Sequence, residues 1–232
     1  MKKKRFISML ICIAMVVTMA PCIVSAADGV AINATNFPDA NFRNYVSNTI
    51  DTKSDGFLSA SEIAATTTIF VPRKSISSLE GIEYFTALTD LYCTDNLLTS
   101  LDVSNNTALT ILACSNNNLT TLDVSNNTSL TSLWCGGNNL TTLDVSNNTV
   151  LESLNCGENN LTTLDVSNNT AIEVLFCYVN NLTTLDVSNN TALQVLICDE
   201  NNLTTLDVSN NTALYSLDCS SNNLTTLDVS NN

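Results

Sequence analysis

From Leu101 onward, apolar residues return in a fixed order every 21 residues, as in LDVSNNTALTILACSNNNLTT. Cysteine marks the period: Cys93, Cys114, Cys135, Cys156, Cys177, Cys198 and Cys219 stand 21 apart. Within one unit Leu133 and Cys135 alternate with Ser132, Trp134 and Gly136. On a short strand that alternation sends the first pair to one face and the second set to the other. A period this short predicts stacked coils, each strand pairing in parallel with neighbours about 4.8 Å away and burying an apolar face it cannot bury alone. The same spacing recurs less regularly at Ile69, Val71, Lys74 and Ile76, so eight coils carry a strand. Twenty-one residues leave little room for a helix on the return side. Short 3₁₀ or extended segments are expected there, with Leu143 and Val145 turned inward.

Three further columns emerge from the repeat. Asn117, Asn138, Asn159, Asn180, Asn201 and Asn222 form an inward amide ladder, tolerable only if loop backbone supplies hydrogen-bond partners. The cysteines read as buried free thiols. Stacked side chains stand about 4.8 Å apart, disulfides want Cβ atoms near about 3.8 Å, and ligands along a line do not build a zinc tetrahedron. Asp102 and its equivalents to Asp228 form an outward ladder of like charges, each pair costing under about 1 kcal/mol in water, and read as turn hydrogen-bonding carboxylates.

Leu130, Leu133, Cys135, Asn138 and Leu140 spell L-x-x-L-x-C-x-x-N-x-L, the leucine-rich repeat pattern with cysteine in its third apolar slot. Over residues 68–232 these units resemble the bacterial internalin family and related secreted leucine-rich repeat proteins, particularly internalins with a cysteine ladder. The resemblance implies a repeat solenoid with one parallel β-sheet on its concave face. It also implies a helical, EF-hand-like cap before the first repeat, and a surface protein whose concave face binds a host or environmental ligand. The sequence stops inside a repeat at Asn232, so a solenoid truncated at its C-terminus is expected.

Residues 1–26 have the order of a secretory signal: Lys2 to Arg5 are basic, Phe6 to Ala20 apolar, and Val24, Ser25 and Ala26 small. Residues 27–67 are expected to form the cap. Phe42, Tyr45, Val46 and Ile50 lie at helical spacing after Pro38 and Asp39, which suit a helix start. The stretch from Asp51 to Glu62 then fits the calcium-loop template at positions 1, 5, 6 and 12, although Lys53 puts a cation where position 3 needs an oxygen ligand. Ser59 and Glu62 also read as a capping box opening a second helix. A structural cap covering the first coil's strand edge is therefore preferred over a calcium site on Asp51, Asp55 and Glu62.

Composition narrows the function. Eight basic residues stand against 22 acidic ones, with no histidine, which argues against a phosphate-binding nucleic-acid surface and any imidazole-dependent mechanism. Removing the signal takes four basic residues, so the remainder carries 4 minus 22, or −18. No apolar run after the signal is long enough to span a bilayer, and no cofactor is required. The return segment LTTLDVSNNT is nearly invariant between copies, whereas the outward strand columns vary: Phe70, Tyr92, Ala113, Trp134, Asn155, Phe176, Ile197 and Asp218, flanked by Val174, Val195, Tyr178, Asp199 and Glu200. Variation confined to one surface of a rigid scaffold marks a recognition face, and aromatics supply rigid contact area. No catalytic arrangement emerges, since the thiols point inward without a base and no motif pairs the carboxylates. The expected function is a secreted or cell-surface binding protein recognising a protein or glycan. The alternative is a substrate-docking or structural region of a larger extracellular enzyme or cell-wall protein.

Overall fold

The computed structural model describes residues 29–232; the signal sequence expected at 1–26 lies outside the described residues. The chain first builds a small cap. β1 (Val30–Ala31) pairs antiparallel with β2 (Phe57–Leu58). Between them α1 (Ala40–Tyr45) starts at Asp39, whose carboxylate accepts the Asn41 and Phe42 N–H groups, and runs on through one wider turn at Val46–Ile50. The helical spacing does what the sequence predicts: Phe42, Val46 and Ile50 are buried. α2 (Ala60–Ala65) opens with the expected capping box, Ser59 Oγ accepting from the Glu62 N–H while Glu62 accepts from the Ser59 N–H at 2.9 Å.

The loop between the first helix and β2 folds around its own carboxylates. Asp51 accepts the Gly56 N–H at 2.9 Å, and Asp55 accepts the Phe57 N–H at 3.0 Å. Glu62 Oε1 takes the Thr52 N–H at 2.9 Å and the Thr52 hydroxyl at 2.8 Å. Among the described residues, no three His, Cys, Asp or Glu side chains converge on a metal-sized site. These bonds hold the Glu62 carboxyl down to about 2, the Ser59 hydroxyl contributing most.

The cap is tied to the first coil by packing and polar contacts. Phe37 packs its ring against Phe42, Tyr84 and Phe85 at centroid distances of 5.9, 5.8 and 6.4 Å. Gly81, at φ 101°, is required here, because a Cβ would lie 2.3 Å from the Phe37 ring. Asp39 accepts both the N–H and the hydroxyl of Ser77 at 2.8 Å. The Tyr45 hydroxyl accepts the Phe70 N–H at 3.2 Å, engaging a donor on the free edge of the first solenoid strand.

Eight three-residue strands then form one parallel sheet in chain order. They are β3 (Thr68–Phe70), β4 (Asp90–Tyr92), β5 (Ile111–Ala113), β6 (Ser132–Trp134), β7 (Ser153–Asn155), β8 (Val174–Phe176), β9 (Val195–Ile197) and β10 (Ser216–Asp218). Equivalent residues pair without a slip, as in Leu133 with Leu154 and Leu154 with Leu175. The return sides are turns and extended chain; a short 3₁₀ helix at Ile82–Tyr84 occurs in the irregular first coil. In the coil of β6 Leu133, Cys135, Leu140 and Val145 are fully buried, with Leu143 nearly so, and their equivalents repeat this until the last coil, where Leu217, Cys219 and Leu224 are half-buried and Val229 is exposed. The six thiols from Cys93 to Cys198 are free and buried, and Cys219 is half-buried. Burial pushes them up, Cys114 and Cys156 to about 12, so the column behaves as apolar filling rather than as reactive sulfur.

Two asparagine ladders carry the turns. Asn159 Nδ2 donates to the carbonyls of Cys135 and Cys156 at 3.1 Å and of Gly157 at 3.2 Å. Its Oδ1 accepts the Leu140 N–H of the preceding coil at 2.9 Å. A second ladder, from Asn106 to Asn211, is equally buried. There Asn148 Nδ2 donates to Val124 and Asn127 carbonyls at 3.1 and 2.9 Å, while its Oδ1 meets no protein donor.

The two ladders predict unequal costs. Asn159→Ala strands a buried N–H as well as carbonyls and should destabilise by about 1–3 kcal/mol, with faster hydrogen exchange at Leu140. Asn148→Ala strands carbonyls alone and should cost less; a larger loss from Asn148→Ala in denaturant melts would contradict this division. A second expectation concerns acid. Glu62 ionises at about 2 when folded against 4.5 in the free group, so its contribution is complete above pH 4.5 and is lost as pH falls towards 2. Glu62→Gln should melt at a lower temperature near neutral pH and show less acid destabilisation than the parent in that window.

Candidate functional site

The outward side chains of β3 to β10 form a continuous strip. Trp134 is 41% exposed and Phe70 59% exposed, while the alternate residues Leu133 and Ile69 are sealed in the core. Tyr92, Phe176, Ile197, Val174, Val195, Tyr178 and Asp199 are half-buried on the same side. Register places Trp134 beside Asn155, Asn155 beside Phe176, Phe176 beside Ile197, and Ile197 beside Asp218. The residues expected in the site thus fall into two groups. Phe70 and Tyr92 stack at the N-terminal end, their centroids 5.6 Å apart and tilted by 56°. Val174, Phe176, Tyr178, Val195, Ile197 and Asp199 cluster on β8 and β9 and the turns after them. Trp134 lies between the groups, its Nε1–H donating to Ser153 Oγ at 3.4 Å.

Local geometry fixes several of these groups. The Tyr178 ring lies over Gly157, where a Cβ would come within 2.5 Å of a ring carbon, and its hydroxyl donates to Glu158 Oε1 at 3.3 Å. Gly136 is buried although the alternation expects it at the surface, because the Asn155 side chain covers it; a Cβ there would lie 2.9 Å from Asn155 Oδ1. After each strand the chain bends through a left-handed residue, with φ 56° at Asp95, 52° at Glu158, 48° at Val179 and 51° at Glu200. L side chains resist this conformation, by about 1–2 kcal/mol per residue. Coil-to-coil bonds hold it, such as the Glu158 N–H on the Tyr178 carbonyl at 2.9 Å. Sequence gives a hint of this column at Asp95, Asn116 and Gly137, residue types that tolerate the bend.

Charge divides along the strip. Arg73 pairs with Asp95 at 2.9 Å, and Asn116 Nδ2 donates to the same carboxylate at 2.8 Å. Together they hold Asp95 below the usual carboxylate range, the Asn116 bond being the larger cause. No Lys or Arg comes after Lys74 in the sequence, so the rest of the face carries acids alone. On the opposite side, each ladder aspartate takes the N–H of the serine two residues on, at 2.9 Å for Asp144 and Ser146. This is the turn role the sequence suggested, and the serine bonds keep Asp144 low despite its charged neighbours. Several clefts lie away from the strip. One, of about 440 Å³, is in the cap beside Tyr45 and Glu62, and one, of about 550 Å³, lies among convex threonines and Asp165, Asp186 and Asp207. Asp51, Asp55 and Glu62 belong to the cap, ahead of β3, and join none of the strip residues. What the strip offers chemically is ring and aliphatic contact area edged by amides and carboxylates; the thiols lie behind it, raised by burial.

Comparison with known proteins agrees with this geometry. The LVIVD repeat family matches residues 110–133. Internalin J of Listeria monocytogenes serotype 4b (strain F2365) is 45% identical over 70 residues, 30% of this chain and 8% of that protein. A solved functional domain of internalin J from Listeria monocytogenes, described as including a cysteine ladder, superposes with a TM-score of 0.74 and 41% identity over 89% of this chain and 51% of its own. Internalin C2 from Listeria monocytogenes superposes at 0.79 with 22% identity over 88% of this chain and 92% of its own, a likeness of fold alone. The chain thus spans about half the solved internalin J domain and a small part of the whole internalin J protein. In its repeat and its cysteine column, the chain is similar to the cysteine-ladder domain of internalin J.

Proposed function

We propose that this chain acts as a secreted or cell-surface binding module that recognises a protein or glycan through its concave strip. One observation carries the reading: between copies, the convex turns and inward columns barely change, while one outward strand column reads Phe70, Tyr92, Ala113, Trp134, Asn155, Phe176, Ile197 and Asp218 in turn, all but Ala113 exposed or half-buried. Selection for folding alone accounts for the constant columns. The variable ones are held at regular spacing on a rigid sheet, which suits them to contact with a partner. The ring area that Phe70 and Trp134 expose on this face also exceeds what packing of the coil requires. Internalin-like leucine-rich repeat proteins are surface or secreted binding proteins, and among the described residues no helix is long and apolar enough to cross a membrane. Cap and convex ladder serve in this reading as scaffold.

The test is a screen of the full chain on host-protein and glycan arrays, followed by Trp134→Ala and Phe176→Ala. Both variants should keep the parent's circular dichroism and melting behaviour, because neither side chain belongs to the core. Binding to the captured ligand should weaken by about 2 kcal/mol or more for at least one of them. Unchanged binding of every captured ligand in both variants would refute a concave site.

A further inference from the structure

We infer that the C-terminal half of the concave face, from β7 to β10, docks a cationic polypeptide segment, one presenting Arg or Lys side chains around an apolar anchor. This rests on the recognition reading of the strip and adds the chemical class of the partner. Val174 and Phe176 on β8 stand in register with Val195 and Ile197 on β9, giving four half-buried apolar side chains on the outer side of two adjoining strands. Carboxylates bound this patch at both strand ends and on its β10 side, with Ser153 and Asn155 on the β7 side. Glu152 and Glu173, both exposed, immediately precede β7 and β8. Glu158, Asp199 and Glu200 lie in the turns after β7 and β9, and Asp218 stands exposed on β10 directly beside Ile197. The sequence contains no basic residue after Lys74, so none of these acids has a cationic partner within this half of the chain. Tyr178 senses the same field, its phenol being raised by burial and then by the Glu158 and Asp199 carboxylates.

The charge pattern selects the occupant. A partner covering the apolar patch strips water from the surrounding carboxylates, which is unfavourable unless positive groups replace it. Guanidinium forks do so with paired, directional hydrogen bonds. An anionic glycan, nucleic acid or acidic membrane meets like charge instead. Three of the four anchor positions are branched aliphatics, which offer contact area to apolar side chains rather than the flat ring on which a sugar stacks. At the other end of the strip the balance differs: Arg73 already neutralises Asp95, and Lys74 stands next to it in the chain. Attraction for cations is therefore localised to the β7 to β10 half.

Fluorescence anisotropy of the full chain with three labelled short peptides tests this: alternating Arg-Leu, alternating Glu-Leu and alternating Arg-Ser. Arg-Leu should bind at least about tenfold more tightly than either of the others and weaken about tenfold between about 50 mM and 300 mM salt. The triple change Glu158→Gln, Asp199→Asn and Glu200→Gln, and separately Phe176→Ala, should each weaken it about tenfold. The convex triple Asp144→Asn, Asp165→Asn and Asp186→Asn should leave it unchanged. Equal affinity for Arg-Leu and Glu-Leu, no binding of Arg-Leu, or equal losses from the convex and concave triples would overturn the inference. A neutral or acidic array ligand lost in Phe176→Ala would overturn the cationic class while leaving the recognition face intact. Arg-Leu binding that ignores both Phe176→Ala and the concave triple overturns the inference, whereas the recognition reading itself fails only by its own array test.

Discussion

The structure depends on how a helix-free coil satisfies its backbone. A turn that crosses a hydrophobic core carries N–H and C=O groups that water does not reach, and each left unpaired would cost more than the turn's packing returns. The asparagine columns solve this by placing a two-ended amide at the point where adjacent coils meet: Asn159 bonds the strand-end carbonyls of two coils and the Leu140 N–H at once. Strand pairing, the thiol column and the tight return all presuppose that joint. It explains why the N-x-L and SNNT elements are nearly invariant between copies while neighbouring outward positions are free to change.

Much of this was legible in the sequence. Strict alternation of Leu133 and Cys135 with Ser132 and Trp134 has one physical solution on a parallel stack, and the inward amides at Asn117 to Asn222 are set by their place in the same register. The second amide ladder was not legible. Asn106, Asn127 and their equivalents sit in SNNT, a composition that reads as a solvated turn, and only the three-dimensional return shows that the second Asn of the pair points inward. The burial of Gly136 was hidden for a related reason, since the cover comes from Asn155 in the next coil. The strip was legible as a set of variable columns. Its division into an N-terminal aromatic pair and a β8 and β9 cluster needed the register and the turn that brings Tyr178 over Gly157.

One motif in the cap has the spacing of a calcium loop and the hydrogen bonds of a self-contained structural loop. A loop with Asp51, Asp55, Gly56 and Glu62 at calcium-loop spacing supplies acceptors; what matters is which donors reach them. Here backbone N–H groups and the Thr52 and Ser59 hydroxyls do so. The carboxylates serve as the scaffold of a helix–loop–helix that brings Tyr45 against Phe70 and Asp39 against Ser77. Edge protection and coil attachment thus come from one small unit, and the outer strip begins directly beyond it.

Repetition of one joint has a consequence for how such a molecule changes over generations. Since each coil bonds its neighbours through the same atoms in the same register, duplicating or deleting a whole unit recreates a joint the array already possesses. The gene can therefore lengthen or shorten the array by unequal exchange between near-identical copies, without designing a new junction. Reach and surface composition then evolve separately: recombination sets how many outward strand positions there are, and point substitution sets what each one displays.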